Sequence, residues 1–146
     1  MSQQSVLPRT ILVAIDGSEP SFKAVAYAIE LGKLAKSRII CLHVLLLPSF
    51  ATTQTLQTLR KDLSPKSDEM LARARKMAVE REVQIEGKIV ETSRSVVMAI
   101  VDSADKDKAD LIIVGTSGTS GMGKLMLGSV AAGTVSSAHC PVLAVR

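Results

Sequence analysis

The chain has 146 residues, of which 47% are apolar, with a formal net charge of +4, two cysteines, and Phe22, Tyr27 and Phe50 as its whole aromatic set. A single domain of this size buries roughly two-thirds of the surface its unfolded chain exposes, so it needs neither disulfide nor metal to hold a core. Three aromatics are too few for a single-strand nucleic-acid binder, two isolated cysteines make no disulfide framework, and no apolar stretch approaches the roughly 20 residues of a membrane span.

The opening Met1-Ser2-Gln3-Gln4-Ser5 has no basic region followed by a long apolar one, so a soluble, cytoplasmic protein is expected, with residues 1–9 frayed. Thr10 to Ile15 is a continuous apolar run that stops at Asp16-Gly17-Ser18, the mark of a strand buried on both faces. Glu19-Pro20-Ser21 suits a helix start. Phe22, Val25, Ala26 and Ile29 then recur on one helical face, and the helix should end near Ala35-Lys36-Ser37. Arg38 to Leu47 is a second strand, stopped by Pro48. Residues 49–63 read either as a loop or as a short helix with Leu56, Leu59 and Leu63 on one face. Ser64-Pro65 reads as a fresh N-cap and first position for a helix that carries Met70, Ala74, Met77 and Ala78 and runs to about Arg81.

Val83, Ile85, Gly87 and Ile89 alternate with Gln84, Glu86 and Lys88, which predicts an edge strand with one wet face. Ser93 or Ser95 caps the next helix, whose inner face is Val97, Ile100, Val101 and Ala104. Leu111 to Val114 is a fourth buried strand, ending at Gly115. Ser129 to Ala138 is a last helix, with Ala131, Thr134, Val135 and Ala138 inward, and Pro141 to Val145 is a last strand. Strands alternating with helices, without repeat or linker, predict one α/β domain over 1–146: an open, Rossmann-like parallel sheet of five strands with helices on both faces. In such sheets ligands sit outside the carboxyl ends of the strands, where strand order reverses.

Between the fourth strand and the last helix, Gly115, Gly118, Gly121, Gly123 and Gly128 are five of the chain's nine glycines. Glycine admits positive φ and close backbone approach. Successive N–H groups, with a helix N-terminus behind them, then make an anion site for phosphate. Lys124 adds a nearby cation. The loop is not a P-loop, because Leu125 stands where a magnesium-holding Ser or Thr is needed. It is not a dinucleotide loop either, because Met126 stands where Gly or Ala is needed. Asp16, at a strand's carboxyl end, is placed to accept from a ribose hydroxyl or an amino group, or to close an Asx-turn with Gly17-Ser18. Ser129 after Gly128 reads as an N-cap able to reach phosphate as well.

Gly115, two residues, Gly118, nine residues, then Gly128-Ser129 resembles the nucleotide loop of the universal stress protein family. The opening Ile11-Leu12-Val13-Ala14-Ile15-Asp16-Gly17-Ser18 and the second-strand ending Leu42-His43-Val44 are similar to that family too. So are Asp110-Leu111-Ile112-Ile113-Val114-Gly115 and Cys140-Pro141-Val142-Leu143-Ala144-Val145-Arg146. The resemblance implies an adenine-nucleotide binder of stress-response or regulatory type, holding ATP, ADP or AMP, with Mg²⁺ as a possible companion and at most weak ATPase or autophosphorylating activity. It implies that Asp16 lies near adenine or ribose and that Val44 meets the adenine edge through its backbone. Gly115, Gly118, Gly128 and Ser129 would cradle ribose and phosphates, with Val130 opening the helix; Ala14 and Val114 join the same binding set. Ser117 departs from the family pattern, where Arg or His is frequent, and brings a hydroxyl in place of a charge. The resemblance also implies a homodimer through Val142–Val145, in line with the exposed apolar edge that a last strand leaves, the alternative being that the frayed N-terminus covers that edge.

His43, among apolar neighbours, reads as a core histidine with a hydrogen bond. His139 and Cys140 are adjacent and so point apart, with no second cluster to complete a metal site. Two other functional classes share the loop: an enzyme of phosphoryl or adenylyl transfer, and an interaction protein that binds no nucleotide.

Overall fold

The computed structural model describes residues 6–117 and 126–146. The elements run β1 (Thr10–Ile15), α1 (Glu19–Ala35), β2 (Arg38–Leu46), α2 (Thr53–Glu80), β3 (Glu86–Thr92), α3 (Val96–Lys106), β4 (Leu111–Gly115), α4 (Ser129–Ser137) and β5 (Val142–Val145). The strands form one sheet in the order β3-β2-β1-β4-β5, and every pairing is parallel. The expected α/β architecture therefore holds, with β3 and β5 at the edges.

The continuous apolar runs explain the layering. Along β1, Ile11 and Val13 face one side and Leu12 the other, and all three are fully buried. Ile11 and Val13 join Phe22, Val25 and Ile29 of α1 and Leu71, Ala74 and Ala78 of α2. Leu12 joins Leu42, Ile112 and Val114 under Ile100 and Ala104 of α3 and Ala131 of α4. A strand covered on both faces has no position for a polar residue, which is why its sequence does not alternate.

Ser18 caps α1 by accepting from Ser21 N–H, Pro20 sits in the first turn, and Lys36 ends the helix at φ 56°. The buried stripe runs through Ala24 and Ala28, whereas Ala26 is exposed. Small residues on either side of the true stripe made its centre ambiguous. Likewise Val135 of α4 is half exposed and Ala131 and Thr134 carry the buried side.

The largest correction is α2, a single helix of 28 residues with Pro65 in its interior. Thr52, not Ser64, is its N-cap and accepts from Thr55 N–H. Pro65 lacks the N–H that would bond one turn back. Tertiary contacts on both sides of it hold the helix together: Ser67, Leu71, Ala74 and Ala78 are buried beyond it, and before it Arg60 forms a two-pronged ion pair with Glu91 of β3. Leu56, Leu59 and Leu63 are half-buried along the earlier half. β3 lies three residues later than the alternation suggested. Val83 and Ile85 precede it, and Ile89 is exposed while Lys88 turns inward to Asp107.

Both cysteines are free, Cys41 buried and Cys140 half-buried. Burial pushes the Cys41 thiol up to about 12, against the opposing field of Arg75. A thiol whose folded pKa is raised adds stability below its ordinary value near 9.0 that is lost as pH climbs toward 12. The native protein at pH 8 should therefore take one equivalent of a thiol reagent, at Cys140, and a second only on unfolding; two fast equivalents under native conditions would contradict this packing. No helix among the described residues is long and apolar enough to cross a membrane.

Candidate functional site: a cleft where the strand order reverses

From β1 the chain turns to one side for β2 and β3, then crosses over so that β4 pairs with the opposite edge of β1. Loops leaving β1 and β4 depart in opposite directions, and a cleft opens between them. It holds a cavity of about 310 Å³. Of the residues singled out from sequence, Ala14, Asp16, Val44, Val114, Gly115, Ser117, Gly128, Ser129 and Val130 all line it. Gly118 and Lys124 lie outside the described residues.

Val44 is placed by a difference in strand length. Ile15, the last residue of β1, pairs with His43, whereas β2 continues to Leu46 beside β3. Leu47 N–H donates to Thr92 O of β3. Main-chain polar groups alternate sides along a strand, so those of Val44 turn toward β1, which has just ended. The carbonyl of Val44 thus faces the cleft. His43 is buried as expected, its Nδ1–H donating to Ile15 O at 2.9 Å, which pins the end of β1 to β2.

Asp16 closes the Asx-turn: its Oδ1 accepts from Ser18 N–H at 2.9 Å and from Ser18 Oγ at 2.5 Å. The side chain is exposed. The turn-closing role read from sequence is present, and the second carboxylate oxygen, Oδ2, is left without a hydrogen bond among the described residues. Gly17 in this turn has φ 87° and is the described glycine that needs the left-handed region.

The other two described loop glycines act differently from the expectation of positive φ. A Cβ on Gly115 would stand 2.8 Å from the carbonyl carbon of Pro20 and 3.0 Å from Ser21 N. Gly115 lets the end of β4 press against the start of α1. A Cβ on Gly128 would stand 3.0 Å from Thr116 O, to which Gly128 N–H already donates at 2.6 Å. Gly128 has φ −60° and is itself the N-cap of α4, with no side-chain cap bond. Ser129 is therefore the first helical residue and not the cap. Among the described residues no side chain accepts from the first-turn N–H groups of α4, and the positive end of the helix borders the cavity.

Sequence reasoning missed part of the lining. Val96 and Ile100, one turn apart on α3, and Ala131 of α4 supply apolar surface, and Ser18, Ser21 and Thr116 add hydroxyls. Val96 and Ile100 carry the i, i+4 signal of a helical face, but periodicity does not say which part of that face meets a cavity. His139 lies on the surface with Nδ1 3.2 Å from Asp105. Among the described residues no group of three or more His, Cys, Asp or Glu is gathered to hold a metal ion.

A family model describing the Universal stress protein family matches residues 8–146. The chain belongs to the universal stress protein family. It is 33% identical over 143 residues to universal stress protein MJ0531 of Methanocaldococcus jannaschii, covering 96% of this chain and 83% of that one. It is 32% identical over 147 residues to universal stress protein YxiE of Bacillus subtilis, covering 93% and 97%. Among solved structures, UspA from Lactobacillus plantarum superposes with a TM-score of 0.84 at 20% identity, over 94% of this chain and 97% of that one, which shows the shared fold. A universal stress protein solved in complex with cAMP matches at 0.73 and 27% identity, over 96% and 98%.

Proposed function

We propose that this universal stress protein binds an adenine nucleotide in the cleft between β1 and β4 and acts as a cytoplasmic regulatory or stress-response module. The observation that carries this reading is the convergence of Asp16, the Val44 backbone and the N-terminus of α4 on one cavity. Each suits a different part of the ligand. The Val44 carbonyl accepts from an amino group on the base. Val44, Val96, Ile100 and Val114 offer apolar surface to its faces. Asp16 Oδ2 accepts from a ribose hydroxyl, and the N–H groups of α4 meet phosphate. The 27% identical relative solved with cAMP supports the same ligand class.

ATP, ADP and AMP share these features. Mg²⁺ would enter as a counter-ion of the longer phosphate chains, with Asp16 as the one carboxylate the described lining offers it. That carboxylate is half committed to Ser18 and has no paired acid or base in the described lining, which supports slow ATP hydrolysis or autophosphorylation at most. Denaturing the purified protein and identifying the released small molecule by mass spectrometry tests the reading. An adenine nucleotide near one equivalent is expected. An empty protein that also gains no thermal stability from millimolar AMP, ADP or ATP would leave the interaction-protein reading in its place.

The exposed edge of β5 supports a homodimer through Val142–Val145. Pro141 O accepts from Ile112 N–H and Val145 O from Thr116 N–H, so by alternation the polar groups of Val142 and Ala144 point outward. Ala144→Pro removes an outward donor and spares the ladder to β4. Sedimentation is expected to give a dimer for the native chain and a folded monomer of 15.5 kDa for this variant; an unchanged dimer would place the interface elsewhere.

A further inference from the structure

We infer that His43 is the positioning residue of the cleft, its imidazole holding the Asp16 turn and the Val44 carbonyl at the separation a nucleoside needs, an inference that rests on the nucleotide reading above. Side chains alternate along β2, so His43 shares the face of Ile39 and Cys41, under α1 and α2, while Val44 turns to the cleft. His43 is buried and does not line the cavity, so it acts through the backbone.

Its hydrogen bond ties together the two residues that immediately precede the two ligand-facing groups. His43 Nδ1–H donates to Ile15 O at 2.9 Å. Asp16 follows Ile15, and Val44 follows His43. Ile15 and His43 are also the last pair between β1 and β2, and past them no strand pair joins the Asp16 turn to β2. In this register Val44 N–H occupies one lone pair of Ile15 O, and the imidazole takes the second. The last rung thus carries two bonds on one carbonyl, just before the turn swings away with Gly17 at φ 87°.

A polar ring buried here costs free energy that an aliphatic side chain would not. The buried hydroxyls of Ser21, Ser67 and Thr134 bond to carbonyls three or four residues back. His43 instead reaches a neighbouring strand, 28 residues away in sequence. Without the ring, Ile15 O keeps Val44 N–H, so the imidazole donor is not needed to satisfy the fold. It is needed to hold the two strand ends in line.

The test is calorimetric titration of the nucleotide-stripped full chain with AMP, on the native protein and on His43→Asn, His43→Gln and His43→Leu, with thermal unfolding of each. The Asn amide nitrogen takes the place of Nδ1, whereas Gln carries its amide one carbon further and Leu has no donor. Asn is expected to bind AMP within about threefold of native, and Gln and Leu about tenfold more weakly, the factor that one hydrogen bond is worth. Asn leaves a void and a buried amide, so it should be less stable than Leu, and affinity and stability should rank these two variants in opposite orders. The losses from His43→Leu and Asp16→Ala should combine to less than their sum, because a ribose contact already removed cannot also be misplaced. Gln and Leu variants that bind as tightly as native overturn the inference, as does the same order for affinity and stability or full additivity with Asp16→Ala. If the Leu variant does not fold, the Asn and Gln affinities decide, and equal losses overturn it. Each of these leaves the nucleotide reading standing; a native chain that binds no AMP removes that reading and this inference with it.

Discussion

Gly115→Val is expected to abolish nucleotide binding and to lower stability by about 1–3 kcal/mol, the cost of forcing bulk into a filled space. The new Cβ would meet the Pro20 carbonyl carbon at 2.8 Å, Pro20 Cβ at 3.0 Å and Ser21 N at 3.0 Å. Two of these atoms are backbone and cannot swing aside as a flexible side chain would. Relief requires α1 to retreat from β4, or β4 to bow away from β1. Either movement separates the Asp16 turn from the N-terminus of α4, which are the two ends of the proposed site. Gly115→Ala should show the same sign at smaller size, because the clash begins at Cβ. Titration calorimetry reads the binding loss and chemical denaturation reads the stability. A Val variant that binds as well as the native chain would show that the spacing between α1 and β4 does not set the cleft.

Ile113→Ala is expected to cost about 2–5 kcal/mol, the range for truncating a large buried aliphatic side chain. For a chain of this length that is a fall in Tm of the order of 10 °C. Ile113 sits at the middle of β4, fully buried in the cluster formed with Ile11, Val13, Phe22 and Val25. It is paired with Val13 on one side and Leu143 on the other. A cavity opened there has strands on both sides and α1 above, so it cannot collapse cheaply. Ile113 does not line the cleft, and the folded fraction of the variant should bind nucleotide with near-native affinity. Loss of binding out of proportion to unfolding would mean that the sheet transmits strain to the site.

These two positions illustrate what the sequence made legible. The central strands were readable because burial on both faces forbids polar residues, and that leaves an unbroken run such as Leu111-Ile112-Ile113-Val114. The alternation of such runs with amphipathic stretches then fixed the parallel, doubly covered sheet. Boundaries that depend on local competition were less readable. Ser64-Pro65 has the chemistry of a helix start, yet the Arg60–Glu91 pair and the burial of Leu71 carry α2 straight through it. The alternation before and into β3 held only as far as Gly87, with Lys88 inward and Ile89 exposed beyond it, and the strand's start depends on where the turn after α2, with Glu82 at φ 58°, hands over to it.

At the site, residue identity was more legible than residue role. The glycine spacing pointed to Gly115 and Gly128, but a spacing pattern cannot tell a left-handed turn from a close approach. In the structure both serve close approach, while Gly17, which drew no comment from the loop pattern, takes the positive φ. Ser129 was read as a cap because Ser is a good one. Gly128 caps without a side chain and leaves the Ser129 hydroxyl to the cleft. Val96 and Ile100 could not be assigned because their neighbours across the cavity lie far away in sequence.

The most direct measurement is a crystal structure of the native chain grown with saturating AMP. The expected result is adenine beside Val44 and Val96, with the Val44 carbonyl within hydrogen-bond distance of the exocyclic amine. A ribose hydroxyl should lie at Asp16 Oδ2, and the phosphate at the N–H groups that open α4. A nucleotide bound elsewhere, or a cleft holding only solvent at saturating AMP, would contradict the assignment of this cavity as the nucleotide site.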